Sequence, residues 1–490
     1  MEKKQKKIIV DFDWSPNKNS KIPMYQQIID YISSKISSGD WSIGSFLPTQ
    51  RELAKKFDVN RSTIIYSLKE LESNGIIQGK TGEGTKIISN IWSCLFSPST
   101  PNWYEYLKTG TFKENISVIQ TINRVEFKKD IVRVSTGELS PTLYPSELMK
   151  EIFLNLSNSA INLNYLEPLG LLELREVLCE KLKKRGIECT PSNILITSGS
   201  LQALQLISLC LIKTGAHIYA ELPSYLNSLQ LFQSSGAKLV NIEMDKEGIK
   251  YWNIPAKEIK KEKSILYTIP NFNNPTGTLM SKKRRENLLE FCKNNKIPII
   301  EDDAYGELWI DEEPPAPLKS HDATGVIIYL GSISKSLAPG LRIGWIVAPE
   351  SVISRLSDVK MQIDYGASSV SQWILKDLLC SSHYDGYLKN IRDELKIRRN
   401  LMLESLEKHF KDIAIWSVPK GGFYIWVILK KDICMDKLFH SLIKENILLN
   451  TGDIYGFNKN SAFRLSYSYL DKKDIEKSVK KISKIIKEIK

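Results

Sequence analysis

Residues 327–345 read I-I-Y-L-G-S-I-S-K-S-L-A-P-G-L-R-I-G-W. The run 326–330 is rich in β-branched residues, which predicts a short buried strand that breaks at Gly331. The end of this strand delivers a group of polar side chains at close spacing. They are Ser332, Ser334, Lys335 and, a little further along, Arg342.

A lysine set between small hydroxyl residues and followed by an arginine suits one chemistry. The amine of Lys335 can condense with the aldehyde of pyridoxal phosphate, while the serines and Arg342 bind its phosphate. The alternative is a surface lysine in a Ser/Gly loop, but the string G-S-x-S-K-x-x-x-P-G-x-R-x-G is longer than that alternative needs. This string resembles the fold-type I aminotransferase family around its Schiff-base lysine.

The totals of the sequence limit the class of protein. A chain of 490 residues predicts two or three domains, and 42% apolar with 25% charged residues is typical of soluble globular proteins. No apolar run is long enough for a transmembrane helix or a signal peptide. The seven cysteines and five histidines are scattered, so we expect reduced thiols, a cytoplasmic location, no membrane contact and no metal site.

The net charge of +12 favours an anionic partner only weakly, because it is spread along the chain. Residues 1–90 hold 14 Lys/Arg against 10 Asp/Glu. Charge alone therefore does not predict nucleic-acid binding.

The first ninety residues nevertheless carry the pattern of a DNA-binding domain. Helical spacing over 23–38 ends at Gly39, and a second helix begins after Thr49, which forms a capping box with Glu52. It ends near Phe57.

A third helix is predicted over 61–73 and ends at Gly75. Two short strands, 76–78 and 86–88, follow around a glycine-rich turn. Three helices and a hairpin predict an α+β winged helix-turn-helix; the alternative is a small helical dimerisation domain.

The third helix would be the recognition helix in the major groove, with its N-terminal outward residues towards the bases. Phosphates would be met at the start of the second helix and along the wing. The predicted DNA-binding residues are Arg51, Arg61, Ser62, Thr63, Tyr66, Lys80 and Gly82. The strings G-S-F-L-P-T-Q-R-E-L-A and L-E-S-N-G-I-I resemble the GntR family of regulators. Thr49 and Asn60 replace that family's usual serines, which leaves the base preference open.

Residues 91–130 are interpreted as a linker and an arm. The remainder, 131–490, alternates strand and helix signals, which predicts an α/β domain with a large, mostly parallel sheet and a smaller C-terminal subdomain. Ligands in such sheets bind at the carboxyl ends of the strands.

Three further strand ends carry polar residues. The Gly199-Ser200 turn opens a helix and so predicts a phosphate site. Asn274 follows the next strand and can donate to a phenolate oxygen. Asp302 follows the third, where a buried carboxylate would keep a pyridine nitrogen protonated, and Tyr305 lies three residues on.

Together these residues resemble the class I/II aminotransferases over 131–490. The resemblance implies that Lys335 forms the internal aldimine, Asp302 pairs with the pyridinium, and Asn274 and Tyr305 bind the phenolate oxygen. It further implies that Tyr225 stacks on the ring and Arg464 grips a substrate carboxylate. Other implied contacts are Gly137 at the substrate-facing loop, Gly199, Ser200, Ser332, Ser334 and Arg342 at the phosphate, and Tyr165 reaching the phosphate of the other subunit of a homodimer.

A GntR-type domain joined to this domain resembles the MocR group of regulators. Residues 222–227 depart from the group's usual P-G-Y-R-G, and Asn274 stands where many members have an aromatic residue; both changes favour a working aminotransferase.

Three hypotheses follow. The first is a regulator whose effectors are pyridoxal phosphate and an amino compound, sensed by aldimine exchange at Lys335. The second is an aminotransferase that also regulates, and the third is a DNA-binding protein with an inert cofactor fold.

Overall fold

The structure is a computed structural model that describes residues 9–20, 22–37, 40–42, 44–80, 84–88, 110–113, 115–158, 163–255, 259, 263–458 and 461–489. The chain divides into two compact units, Met1–Thr111 and Phe112–Lys490. Within the described ranges, no helix combines the length and apolarity needed to cross a membrane.

The first unit is a winged helix-turn-helix, as the sequence predicts. Its three short strands form one antiparallel sheet in the order β1-β3-β2. In chain order the elements are α1 (Met24–Ser37), β1 (Phe46–Leu47), α2 (Gln50–Phe57), α3 (Arg61–Ser73), β2 (Ile77–Lys80) and β3 (Gly84–Ile87).

The local signals of this unit explain its helix boundaries. Thr49 caps α2 by accepting the Glu52 amide at 3.3 Å, and the Glu52 carboxylate accepts the Thr49 amide at 2.8 Å. The predicted α3 agrees with the structure at both ends, and Gly75 follows it with φ +69°. Gly39, the predicted end of α1, lies outside the described residues.

Sequence reasoning missed two parts of this unit. Strand β1 has only two residues and carries no alternation signal. Phe12, in the segment before α1, is buried and packs edge-on against Trp41 at 4.7 Å and Phe57 at 5.2 Å between ring centroids. The first hairpin strand begins later than predicted, at Ile77, and the second begins earlier than predicted, at Gly84.

The second unit begins inside the predicted arm. Its first elements are α4 (Ser117–Val125), β4 (Val132–Arg133) and α5 (Ser146–Ser157). Ile122 and Val125 of α4 are buried against Trp426 and Phe439, so this part of the arm packs onto the unit that follows.

An eight-stranded sheet forms the centre of the second unit, in the order β5-β12-β11-β10-β9-β6-β7-β8. Strand β12 pairs antiparallel with β5 and β11, and β8 pairs antiparallel with β7. The central run from β11 to β7 is parallel. The strands are β5 (Ile194–Thr197), β6 (His217–Leu222), β7 (Lys238–Asp245), β8 (Gly248–Ile249), β9 (Ser264–Thr268), β10 (Ile299–Asp302), β11 (Ile327–Ser332) and β12 (Gly344–Val347).

Seven of the described helices of the second unit precede, connect or follow these strands in the chain, as in an α/β domain. They are α6 (Leu172–Lys183), α7 (Ser200–Leu211), α8 (Leu231–Ser234), α9 (Lys282–Asn295), α10 (Glu350–Ile363), α11 (Ser369–Cys380) and α12 (Tyr384–Phe410).

The prediction that the lysine strand breaks at Gly331 is wrong. Strand β11 continues to Ser332, and Gly331 pairs with Trp345 of β12. A Cβ at Gly331 would lie 2.3 Å from the Trp345 indole, so the glycine makes room for this ring rather than ending the strand. Asp302 is likewise the last residue of β10, not the first residue after it.

The smaller C-terminal subdomain is built on a four-stranded antiparallel sheet in the order β13-β14-β17-β16. Strand β15 instead pairs in parallel with β4. The elements are β13 (Ala414–Trp416), β14 (Tyr424–Leu429), α13 (Met435–Lys444), β15 (Ile447–Leu448), β16 (Asn450–Thr451), β17 (Ala462–Ser466) and α14 (Lys472–Glu488). One apolar core continues from the large sheet into this subdomain.

Candidate functional site

A concave cradle lies at the N-terminus of α7. Gly199 caps this helix with φ +86°, and Ser200 is its first residue. The Arg342 guanidinium donates to the Ser198 carbonyl at 2.9 Å. A Cβ at Gly199 would lie 2.7 Å from Nη2 of Arg342, so only glycine lets the backbone approach the arginine. A helix N-terminus beside a guanidinium favours an anion.

The other wall of the cradle comes from the end of β11 and the start of β12. The Ser332 hydroxyl donates to the Ile343 carbonyl at 3.3 Å and accepts the Ser334 amide at 3.1 Å. Gly344 brings β12 against the cradle, because a Cβ there would lie 3.0 Å from the Ser200 nitrogen. Sequence reasoning assigned no role to Gly344, although it stands in the R-x-G part of the string.

Lys335 is half-buried beside this cradle and points to the loop after β4. Its Nζ donates to the Gly137 carbonyl at 2.7 Å. A Cβ at Gly137 would lie 2.3 Å from the Tyr424 hydroxyl and 3.5 Å from Nζ of Lys335. Glycine at 137 therefore keeps the space around the amine open.

Asp302 presents a buried carboxylate with one unused oxygen. Its Oδ2 accepts the Tyr267 hydroxyl at 2.8 Å, while Oδ1 is buried and accepts no hydrogen bond from the described residues. Burial raises the pKa of Asp302 to about 6, against the Tyr267 hydroxyl and the Ala304 backbone amide, which lower it. A buried acceptor without a partner is costly unless a ligand supplies a donor.

Arg464 is buried on β17 and is held by neutral acceptors. Its guanidinium donates to Oδ1 of Asn274 at 2.7 Å and to the Ser135 carbonyl at 2.5 Å. Its Nε is buried and donates to none of the described residues. The Tyr225 amide donates to the Asn274 carbonyl at 3.1 Å, which ties the Tyr225 segment to the same loop.

Sequence reasoning missed Tyr424, which joins the predicted residues. Its hydroxyl lies 2.9 Å from that of Tyr305, and its ring lies 4.1 Å from the Arg464 guanidinium carbon. Burial raises the pKa of Tyr305, which therefore stays a neutral hydroxyl. The G-G-F-Y stretch at 421–424 carries no chemical signature, and the contact crosses more than a hundred residues of chain.

Glu221 supports the loop that carries Asn274, and the sequence analysis assigned it no role. It is buried and accepts the Thr268 hydroxyl at 2.5 Å, the Ile269 amide at 3.0 Å and the Asn273 side-chain amide at 2.7 Å. Burial raises the pKa of Glu221 to about 7.

Tyr165 lies apart from these residues within one chain. It is 79% exposed, and its ring centroid is 4.8 Å from that of Tyr365. The other predicted cofactor residues are brought around the carboxyl ends of the central strands or into the cradle.

The predicted DNA-binding residues lie on the surface of the first unit. Thr63 is half-buried, and the Arg61 guanidinium donates to Gln50 at 3.4 Å. Tyr66 is 53% exposed and packs against Tyr25. The others in the described part, all exposed, are Arg51, Ser62 and Lys80; Gly82 lies outside the described residues. The described residues contain no cluster of His, Cys, Asp and Glu suited to a metal ion.

Two family models match the chain. Residues 129–482 match the aminotransferase class I and II model, and residues 24–87 match the model of bacterial regulatory proteins of the gntR family. The second match covers the three helices and the hairpin of the first unit.

Full-length relatives combine both parts. The HTH-type transcriptional regulator YdfD of Bacillus subtilis, itself uncharacterized, is 47% identical over 96% of this chain and 98% of its own length. The HTH-type transcriptional regulator NorG of Staphylococcus aureus is 35% identical over 90% of this chain and its whole length.

Solved structures resemble the second unit. Kynurenine aminotransferase of Pyrococcus horikoshii, solved with PMP, has a TM-score of 0.72 and 32% identity over 77% of this chain and 95% of its own. LysN of Thermus thermophilus, an α-aminoadipate aminotransferase solved with N-(5'-phosphopyridoxyl)-L-leucine, has a TM-score of 0.71 and 27% identity over 79% of this chain and 98% of its own.

Proposed function

The chain belongs to the HTH-type transcriptional regulators that join a GntR-type DNA-binding domain to an aminotransferase class I and II domain, and from this premise we propose that it binds pyridoxal phosphate and senses an amino compound at Lys335. The effector would alter the interaction of the regulator with its operator. The observation that carries the proposal is the buried Oδ1 of Asp302, which accepts no hydrogen bond from the described residues and ends a strand next to the one that leads to Lys335.

The residues present fit this cofactor. Oδ1 of Asp302 would accept a hydrogen bond from the protonated pyridine nitrogen, which supplies the donor that the buried oxygen lacks. The cradle at Gly199, Ser200 and Arg342 would bind the phosphate, with Ser332 and Ser334 on its other wall. Pyridoxal phosphate, when bound, supplies an aldehyde for amines and a ring that withdraws electrons.

Lys335 would provide the amine that holds the cofactor covalently. For this its Nζ has to leave the Gly137 carbonyl, to which it donates in the structure. Asn274 and Tyr305 would donate to the phenolate oxygen, and Tyr225 would pack on the ring. An amino compound in the pocket would compete with Lys335, whose amine could then keep its hydrogen bond to the Gly137 carbonyl, so the lysine would have two positions that the effector distinguishes.

Arg464 would recognise the carboxylate of the amino compound. Two of its nitrogens donate to neutral acceptors, and its Nε donates to none of the described residues. The buried positive charge therefore has no carboxylate partner in the described site. A bidentate carboxylate is the ligand that a guanidinium pairs with best. Gly137 would line the side of the same pocket.

We further propose a cytoplasmic homodimer that binds double-stranded operator DNA. An exposed Tyr165 supports shared sites, because a tyrosine on the surface of one subunit can reach the phosphate of the other. Arg51, Lys80 and Gly82 would meet DNA phosphates, and the start of α3 would face the bases.

A working aminotransferase is the second candidate, favoured by the presence of Asn274, Tyr305 and Arg464 together. Lys335 would then carry a proton between the substrate and the cofactor. Incubation with single amino acids separates the candidates. We expect a regulator to bind its amino compound with a change in operator affinity and no release of 2-oxo acid. Stoichiometric or continuing 2-oxo acid production, measured with unchanged operator affinity, would favour the enzyme.

The recognition helix can be tested by Arg61→Ala. Because Arg61 is exposed at the N-terminus of α3, we expect operator affinity to fall by about 1–3 kcal/mol if it contacts a base. Lys69→Ala, an exposed change on the same helix, is the matched control and should leave sequence preference unaltered. If Arg61→Ala binds the operator as tightly as the unsubstituted protein does, and random DNA as tightly too, α3 is not the recognition helix.

A further inference from the structure

Two cysteine sulfurs of the second unit are in direct contact. The Cys189 thiol donates to Sγ of Cys179 at 3.8 Å. Cys179 lies in α6 and Cys189 just beyond it, before the turn Pro191–Asn193 that leads into β5. Both residues are half-buried and neither is fully enclosed. No other cysteine pair in the described part of the chain is in hydrogen-bonding contact.

We propose that Cys179 and Cys189 form a redox-sensitive site, which a peroxide or a low-molecular-weight disulfide oxidises to an intramolecular disulfide and which thiols reduce again. The inference does not depend on the proposed cofactor or on DNA binding. The sulfurs have to approach from 3.8 Å to the bond length of about 2 Å.

The geometry also assigns the order of steps. Because Cys189 donates its proton towards Cys179, the negative charge forms more readily on Cys179. Burial raises the pKa of both thiols, that of Cys189 to about 12, which keeps the fraction of thiolate low at neutral pH.

With a peroxide, the Cys179 sulfur attacks one oxygen, the O–O bond breaks, and the second oxygen leaves as water or an alcohol. The sulfenic acid on Cys179 is then attacked by the Cys189 sulfur. The S–S bond forms as the hydroxyl leaves with the Cys189 proton as water. Two electrons pass from the two thiols to the peroxide, and a reducing thiol returns them by exchange.

Peptide mapping of the full-length protein tests the proposal. Trypsin releases Cys179 on the peptide 176–181 and Cys189 on the peptide 186–213, which also contains Cys210. After treatment of the folded protein with hydrogen peroxide or oxidised glutathione, we expect these two peptides to be linked, and dithiothreitol to separate them. Cys210→Ser is the matched control and should keep the link.

Single substitutions then test the order of steps. In Cys189→Ser we expect no link and a sulfenic acid on Cys179 that dimedone labels. In Cys179→Ser we expect neither a link nor labelling of Cys189. Absence of the linked peptides from the oxidised native protein, their appearance only after unfolding, or their persistence in Cys189→Ser would overturn the proposal.

Discussion

Lys335→Ala is expected to abolish covalent attachment of pyridoxal phosphate and with it the response of operator binding to the cofactor. In the structure Lys335 follows Ser334 of the cradle wall in the chain, and its amine donates to the Gly137 carbonyl at 2.7 Å. An aldehyde held by the cradle and by Asp302 would meet this amine, so borohydride should fix the cofactor to the unsubstituted protein on the peptide that contains Lys335. The alanine variant should show no fixed cofactor by mass spectrometry.

Lys335→Arg is the matched control for charge. It keeps a cation near Gly137 but has no nucleophilic amine, so it should also lack fixed cofactor while retaining weak, reversible binding. Both variants should still bind operator DNA, because the DNA-binding helices lie in the other compact unit. Fixation on another lysine in either variant, or no fixation in the unsubstituted protein with excess pyridoxal phosphate, would contradict the role given to Lys335.

Asp302→Asn is expected to weaken binding of pyridoxal phosphate strongly. Removing one member of a buried charge pair costs about 2–5 kcal/mol, which corresponds to at least about 30-fold in affinity. The cofactor-free variant should unfold at the same temperature as the unsubstituted protein or higher, because the substitution removes a buried carboxylate with an unused oxygen. If affinity for pyridoxal phosphate falls while the unfolding temperature is unchanged, the effect lies in cofactor binding. Unchanged affinity would exclude pairing of Asp302 with the pyridine nitrogen.

The same carboxylate sets a pH dependence. Burial raises the pKa of Asp302 to about 6, and pairing with a pyridinium would lower it, so affinity should fall as the pH falls through about 6. Tyr267→Phe removes a hydrogen bond that lowers this pKa, so its fall in affinity should begin at higher pH. The cofactor phosphate titrates near the same pH in both proteins, and the comparison therefore isolates Asp302. If the pH midpoint of the fall in affinity is unchanged or lower in Tyr267→Phe, Asp302 is not the group that sets the pH dependence.

Local signals predicted the helices of the DNA-binding domain well. A capping box begins α2, and both ends of α3 agree with the structure because apolar spacing and a glycine mark them. Strand β1 and the buried Phe12 were missed, since two residues have no period and a ring in an irregular segment gives no pattern. The end of β11 was misjudged because a glycine in a strand can either break it or accommodate a neighbour, here Trp345.

Motifs at strand ends predicted the residues of the candidate site. They did not predict the residues that hold those side chains and loops in place. Tyr424 reaches Tyr305 and Arg464 only through the pairing of β14 with β17 and the packing of the two sheets. Glu221 orders the Asn273 loop through three donors, Thr268, Ile269 and Asn273, that lie close together but far from Glu221 along the chain. Such contacts depend on tertiary packing, which no local pattern of residues encodes.

Arg342 takes a left-handed backbone conformation, with φ +53° and ψ +45°. An L-residue with a long side chain is less stable there than glycine by about 1 kcal/mol. The strained backbone of Arg342 thus places its guanidinium beside the Ser198 carbonyl, at the cradle. If Arg342 binds the cofactor phosphate, as we propose, thermostability and ligand affinity oppose each other at this position. Glycine at 342 would relieve the backbone conformation and would remove the guanidinium that holds the phosphate.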